Sequence, residues 1–295
     1  MVKPLEGKVA VVAGATRGAG RGIAVMLGEA GATVYCTGRS VRGNPSDLNR
    51  PETIEETAEM VTARGGKGIP VRVDHTVEKE VKALFERVEE EQNGRLDVLV
   101  NDIWGGERLV RWGKTFWEYP LADGLLMQER AVKAHLITSY YAAPLMAARK
   151  QGLIIEVTDG IDYGYRPVNL FYSLAKISAI HMAAAMAEEL RPYAIAAVAV
   201  SPGFLRSEEM LDYFGVREEN WMDAVHSGLP HAEHFAQSET PYFIGRGVAA
   251  LAADPHVMRK SGQALGSWNL SDEYNITDID GRRPHWGNYA KQCGF

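Results

Sequence analysis

The chain has 295 residues, 46% apolar and 24% charged, with a net charge of −6. This is the make-up of a globular protein with a sizeable core, and the acidic balance lacks the basic field that nucleic acid or an anionic membrane requires. Two cysteines, Cys36 and Cys293, exclude a disulfide framework, no Cys/His cluster has zinc spacing so no metal is expected, and no uninterrupted apolar run reaches the ~18 residues of a membrane span.

The first residues run almost directly into an apolar strand, KVAVVAG (8–14), so no signal peptide is expected and the expected location is cytoplasmic. RGIAVMLGEAG (21–31) reads as a helix closed by Gly31, and ATVYCTG (32–38) as a second strand. A helix over 51–66 and a strand over 67–74 follow. Residues 77–94 are amphipathic, with Val81, Leu84, Phe85 and Val88 on one face. LDVLVND (96–102) is a fourth strand, and a Trp-, Gly- and Arg-rich irregular stretch runs on to about Asp123. A helix over about 124–149, a strand over 152–158, a helix over about 169–192 and an apolar strand over 194–202 complete the pattern. Residues 204–245 read as a lid, and about 263–295 as one more short strand and a tail. Strands alternating with helices predict an α/β, doubly wound parallel sheet, Rossmann-like, in a single domain spanning 1–295.

The first strand leads into AGATRGAGRGIA (13–24). Gly14, Gly18 and Gly20 let the backbone turn tightly and approach a pyrophosphate, and the following helix offers free N–H groups to an anion. The triplet lies between a predicted strand and helix at the start of a βαβ chain, which is the context phosphate binding needs.

Of the twelve tyrosines, only Tyr172 has a lysine four residues on, Lys176, in YSLAK. Positions i and i+4 share a helix face, so phenol and ammonium would lie together.

The spacing G-x-x-x-G-x-G resembles that of the short-chain dehydrogenase/reductase superfamily. Further landmarks fall in order: Asp74 ending strand three, Asn101 ending strand four, Tyr172 and Lys176 after strand five, and Ser201-Pro202-Gly203 after strand six. The segments GRLDVLVN, KTFWEYP and QGLIIEV look most like the dehydrogenase/reductase family member 1 branch. The resemblance covers roughly 5–275. It implies a cofactor-binding set of Gly14, Thr16, Arg17, Gly18, Ala19, Gly20, Arg39, Asp74, Asn101, Tyr172, Lys176, Pro202, Gly203 and Ser207. It implies Tyr172 as proton donor and acceptor, with Lys176 lowering the phenol's pKa and bonding the ribose hydroxyls. It also implies a homodimer or homotetramer formed through the two long helices.

Members that use NAD usually carry an acid at the end of strand two. Here that place is Gly38, followed by Arg39, and Arg17 lies in the glycine loop, so NADP(H) is expected over NAD(H). The family also usually has a serine about thirteen residues before the tyrosine, and counting back reaches Asp159. An ionised carboxylate there opposes a developing oxyanion. Asp159 could be neutral, it could turn away while Thr158 donates, or the substrate could be cationic or the reaction different. A relay asparagine is also replaced, at about Ala131, and Asp102 replaces the second Asn of the strand-four motif.

The loops after strands four, five and six carry many aromatics, so a bulky, partly hydrophobic carbonyl or alcohol is the expected substrate. The leading expectation is an NADPH-dependent carbonyl reductase with Tyr172, Lys176, Asp159 and Thr158 in the catalytic set. A dinucleotide-binding module with lost chemistry, or another reaction class on the same scaffold, stays open because of Asp159.

Overall fold

The structure, a computed structural model, describes residues 3–294; Met1, Val2 and Phe295 at the ends of the expected domain lie outside the described residues. Its elements are β1 (Val9–Ala13), α1 (Gly18–Glu29), β2 (Thr33–Gly38), α2 (Ile54–Ala63), β3 (Lys67–Arg72), α3 (Glu78–Glu91), β4 (Val98–Asn101), α4 (Leu121–Gln128), α5 (Ala134–Arg149), β5 (Gly152–Val157), α6 (Leu170–Leu190), β6 (Ile195–Ser201), α7 (Glu208–Phe214), α8 (Pro241–Ala253), β7 (Ala264–Gly266), α9 (Ser267–Tyr274) and α10 (Trp286–Cys293).

All seven strands are parallel, in the order β3-β2-β1-β4-β5-β6-β7. Strand side chains alternate between faces. On one face Ala10, Val12 and Val34 pack with Ile23 and Leu27 of α1 and Val248 and Leu251 of α8. On the other, Val9, Val11 and Tyr35 meet Val81, Phe85 and Val88 of α3 and Leu145 and Met146 of α5. This two-sided burial explains why β1 and β6 read as unbroken apolar runs. The chain order reverses between β1 and β4, which opens a crevice beyond their carboxyl ends, at Ala13 and Asn101.

Several boundaries differ from expectation. The helix expected over 51–66 runs only from Ile54 to Ala63, because Thr53 caps it by accepting the Glu56 N–H and a diglycine follows. The helix expected over 124–149 begins at Leu121, and residues 129–133 form a π-turn between α4 and α5. The C-terminal tail holds two helices, α9 and α10, after the three-residue β7. Within 204–245, Ser207 caps α7, and Phe214, Ala224, Ala232 and Phe235 form a small core of their own. The loop aromatics Phe204 and Trp221 join that core, while Trp112, Phe116 and Trp117 are exposed.

Helix α6, with its extension to Tyr193, is long and apolar enough to cross a membrane, with mean hydropathy 1.3, and 39% of that window is buried. Its buried side is a row of small residues, Ala175, Ala179, Ala183 and Ala187, which brings its backbone close to the sheet.

Candidate active site

The glycine loop leaves β1 where the crevice opens. Gly14 has φ +91°, and a Cβ there would lie 2.2 Å from the Asp102 carbonyl oxygen. At Gly20 a Cβ would lie 2.3 Å from the Gly14 carbonyl oxygen, so both positions demand glycine for close backbone approach. Thr16 sits beside Gly38, and its carbonyl accepts from Arg21 Nε at 2.9 Å. Ala19 is buried in the first turn of α1. Gly18 points its N–H into the crevice and donates to the Glu208 carboxylate at 2.8 Å. An anion thus occupies the α1 N-terminus, as its free N–H groups and dipole favour.

The arginines expected near a 2′-phosphate also hold carboxylates. Arg39 donates to Asp47 at 2.8 Å, and Arg130 pairs with the other oxygen of the same carboxylate at 2.9 Å. Arg17 lies 3.5 Å from Glu52 and 3.9 Å from Glu107, and its buried Nε has no hydrogen-bond partner. The donor set therefore suits an anionic dinucleotide: a helix N-terminus and two guanidinium positions, each met by an internal carboxylate.

Helix α6 brings the phenol and ammonium to the crevice. Asn169 caps it by accepting the Tyr172 N–H at 2.9 Å, which sets the helical register of Tyr172 and Lys176. Gln128 of α4 donates to the Phe171 carbonyl at 2.7 Å, tying the two helices together. The Lys176 ammonium lies 4.0 Å from the Trp104 ring centre and 5.5 Å from that of Tyr172. Trp104 meets Tyr172 edge to face, with ring centres 5.4 Å apart. Of the aromatics expected to line a substrate pocket, Trp104 touches both Tyr172 and Lys176.

Tyr172 Oη donates to Asp159 Oδ2 at 2.8 Å. Burial, together with the Asp159 charge and this hydrogen bond, raises the phenol's pKa well above its usual 10. The shift is thus upward and not the lowering the resemblance implies, chiefly because the phenol is buried and then because Asp159 holds its proton. Burial in turn lowers the Lys176 pKa, against the pull of Asp159, Asp102 and Glu107.

Thr158 is not free to replace the missing serine. Its hydroxyl is buried and donates to the Lys176 carbonyl at 2.5 Å, fastening α6 to the end of β5 instead. Asp159, by contrast, is exposed. Arg166 holds the loop that carries it, donating to the Asp159 carbonyl at 2.6 Å and to Asp162 and Gly164.

The remaining predicted residues serve local structure in the first instance. Asp74 accepts from Thr76 N and Oγ1 at 3.0 and 2.7 Å, closing a turn beyond β3. The Pro202 carbonyl accepts from Ser201 Oγ, and Gly203 N donates to Glu239 at 3.0 Å. Glu239 is fully buried, and desolvation pushes its pKa up to about 8. Bonded to Gly203 and bridged to Leu205, Glu239 ties together the two ends of the segment between them. Asp102 lies against Gly20, and burial raises its pKa to about 7.

Asn101 donates to Ser139 at 2.9 Å and to Glu156 at 2.7 Å. Glu156 is the residue the sequence reading missed here, and its partner is His135. Both are buried, and His135 Nδ1 lies 2.5 Å from Glu156 Oε2 while Nε2 lies 2.9 Å from the Ile103 carbonyl. The available signal was a glutamate inside the apolar strand GLIIEV, which demands a buried partner.

Residues 8–214 match the family model described as short chain dehydrogenase. The chain belongs to the short-chain dehydrogenase/reductase family. It is 37% identical over 286 residues to mouse dehydrogenase/reductase SDR family member 1, covering 96% of this chain and 86% of that one. The human protein of the same name is 37% identical over 284 residues, with the same coverage. Among solved structures, a short chain dehydrogenase from Mycobacterium thermoresistibile shares the fold, with TM-score 0.78 at 24% identity, over 96% of this chain and 92% of that one. The chain is thus an oxidoreductase of a family that uses nicotinamide dinucleotides, and its parallel sheet is the Rossmann-like sheet of short-chain dehydrogenases/reductases.

Proposed function

We propose that this protein is an NADPH-dependent oxidoreductase that interconverts a carbonyl and an alcohol on a fairly bulky, partly hydrophobic small molecule. The observation that carries the reading is the placement of Tyr172 and Lys176 side by side at the crevice, next to an α1 N-terminus that holds a carboxylate. Bound in the crevice, the dinucleotide supplies hydride. Gly18 N–H would bind its pyrophosphate after Glu208 withdraws, and Arg39, Arg17 and Arg130 would hold the 2′-phosphate in place of Asp47 and Glu52. Lys176 would bond the ribose hydroxyls once Trp104 moves from its ammonium. Tyr172 Oη releases its proton to the substrate oxygen in reduction and recovers it in oxidation.

Phosphate specificity has a direct check. Arg39→Glu removes a guanidinium and adds a charge that repels a dianion, so NADPH affinity is expected to fall by roughly 100-fold or more and NADH affinity far less. Fluorescence titration of both nucleotides measures this, and equal losses would reject the clamp.

We also propose a homodimer or homotetramer. Leu121 and Leu125 of α4, Leu136 and Tyr140 of α5, and Leu170 and Leu174 of α6 are exposed apolar pairs spaced one helical turn apart. Light scattering at the 32.4 kDa mass of one chain would disprove it.

A further inference from the structure

We propose that the Asp159–Tyr172 pair equips this cleft to reduce cationic C=N electrophiles, protonated imines and iminium ions, in addition to carbonyls. The inference rests on the proposed hydride transfer and concerns which electrophile the site receives best.

A carbonyl becomes an oxyanion as hydride reaches it, and needs donors aimed at its oxygen. The donors here are few. The Thr158 hydroxyl already donates its hydrogen bond to the Lys176 carbonyl at 2.5 Å. Ser173 lies one residue past Tyr172, but its oxygen is buried and accepts from Arg166 N at 3.1 Å. The Tyr172 phenol donates to Asp159 Oδ2, so a substrate oxygen must win that proton from a carboxylate. Where a hydroxyl could donate, Asp159 is acceptor only.

The same arrangement suits a cation. Asp159 is exposed at the cleft, and its Oδ1 bonds to nothing among the described residues, so it is free to accept from a substrate N–H. The charged groups acting on Lys176 from β4, the loop after it and the end of β5 are all acidic: Asp102, Glu107 and Asp159. The Trp104 ring already faces one cation at 4.0 Å, and an indole face attracts a flat iminium by the same quadrupole. A carboxylate beside the nitrogen keeps an imine in its protonated, electrophilic form.

The balance is simple. The iminium carbon accepts hydride from the reduced nicotinamide dinucleotide, which leaves oxidised, and a C–H bond forms. The C=N π pair withdraws onto nitrogen as its lone pair and cancels the positive charge. No proton moves in that step. For an imine, the proton on nitrogen comes from solvent beforehand, through Tyr172 and Asp159. The product is an amine, which solvent then protonates.

The test pairs N-methyl-3,4-dihydroisoquinolinium with 1-tetralone, a neutral ketone of similar shape, followed by NADPH consumption above the enzyme-free blank. Tyr172→Phe is expected to lose at least roughly 100-fold on tetralone but no more than a few-fold on the iminium, which needs no proton. Asp159→Ser is expected to shift the iminium-to-ketone ratio of kcat/KM toward the ketone by roughly 100-fold. Calorimetry with the oxidised nucleotide present gives a readout free of turnover: Asp159→Asn should weaken binding of the iminium about tenfold and of tetralone far less. Tetralone reduced while the iminium is refused, or Tyr172→Phe losing both substrates alike, overturns the inference and leaves carbonyl reduction standing. Binding of the iminium indifferent to Asp159→Asn also overturns it. Neither substrate reduced by the wild type or by Asp159→Ser removes the hydride-transfer reading and this inference with it.

Discussion

Tyr172→Phe is expected to cut NADPH-dependent reduction of a carbonyl by about 10²–10⁴-fold while the nucleotide still binds. The variant removes one oxygen, whose hydrogen bond runs to an exposed carboxylate, so the packing of the ring against Trp104 is kept. The contacts expected of the nucleotide, at Gly18, Arg39 and Lys176, are untouched. NADPH consumption over a panel of ketones and aldehydes, with a parallel fluorescence titration, measures both halves. Unchanged turnover would remove Tyr172 from the chemistry. The raised phenol pKa adds a pH dependence with a definite sign. Reduction needs the protonated phenol, which persists through neutral and mildly alkaline solution. Oxidation of the alcohol needs the phenolate, so its rate should keep rising beyond pH 10 rather than level off near neutrality.

His135→Ala is expected to cost about 3–5 kcal/mol of stability, because it strands a buried carboxylate. Both ring nitrogens of His135 face acceptors, the Glu156 carboxylate and the Ile103 carbonyl, which is the environment of an imidazolium. Burial alone would lower the His135 pKa, but Glu156 outweighs it and the net shift is upward. A histidine with a raised folded-state value contributes stability in full below its unfolded pKa, about 6.5. That contribution is lost as pH rises through the folded value. Urea unfolding should therefore show a large deficit for the variant at pH 6 that narrows in alkaline buffer. His135→Leu with Glu156→Leu should recover part of the loss, since the carboxylate leaves with its partner while the buried Asn101 amide keeps only Ser139. A single variant as stable as the wild type at both pH values would show that the pair carries no such energy.

These two residues mark the limit of what could be read in advance. Tyr172 and Lys176 were legible because helical spacing is local: four residues along one helix place two side chains on one face whatever the helix packs against. The glycine loop was legible for a similar reason, since strand, turn and helix N-terminus are contiguous in the chain. His135 and Glu156 are 21 residues apart on different elements, and only the packing of α5 on the sheet brings them to 2.5 Å. The bond from Thr158 to the Lys176 carbonyl was not legible, because a strand pattern assigns a side chain to a face without naming the group that waits there. The tail after Gln263 lacked a clear apolar period, and its helices are held by tertiary contacts such as Asp278 accepting from Thr240 N at 2.8 Å.

By itself, the sequence determined the alternation of strands and helices, the glycine turn between β1 and α1, the helical pair of phenol and ammonium, and the absence of an acid after β2, because each depends on spacing within one or two adjacent elements. Tertiary structure alone decided that Asp159 accepts the Tyr172 hydrogen bond, that Trp104 covers Lys176, and that Glu208 and Asp47 meet the Gly18 N–H and the Arg39 guanidinium. Those contacts join segments from 8 to 190 residues apart. Their geometry is set by how loops fold over the sheet's carboxyl edge, and no local propensity encodes it.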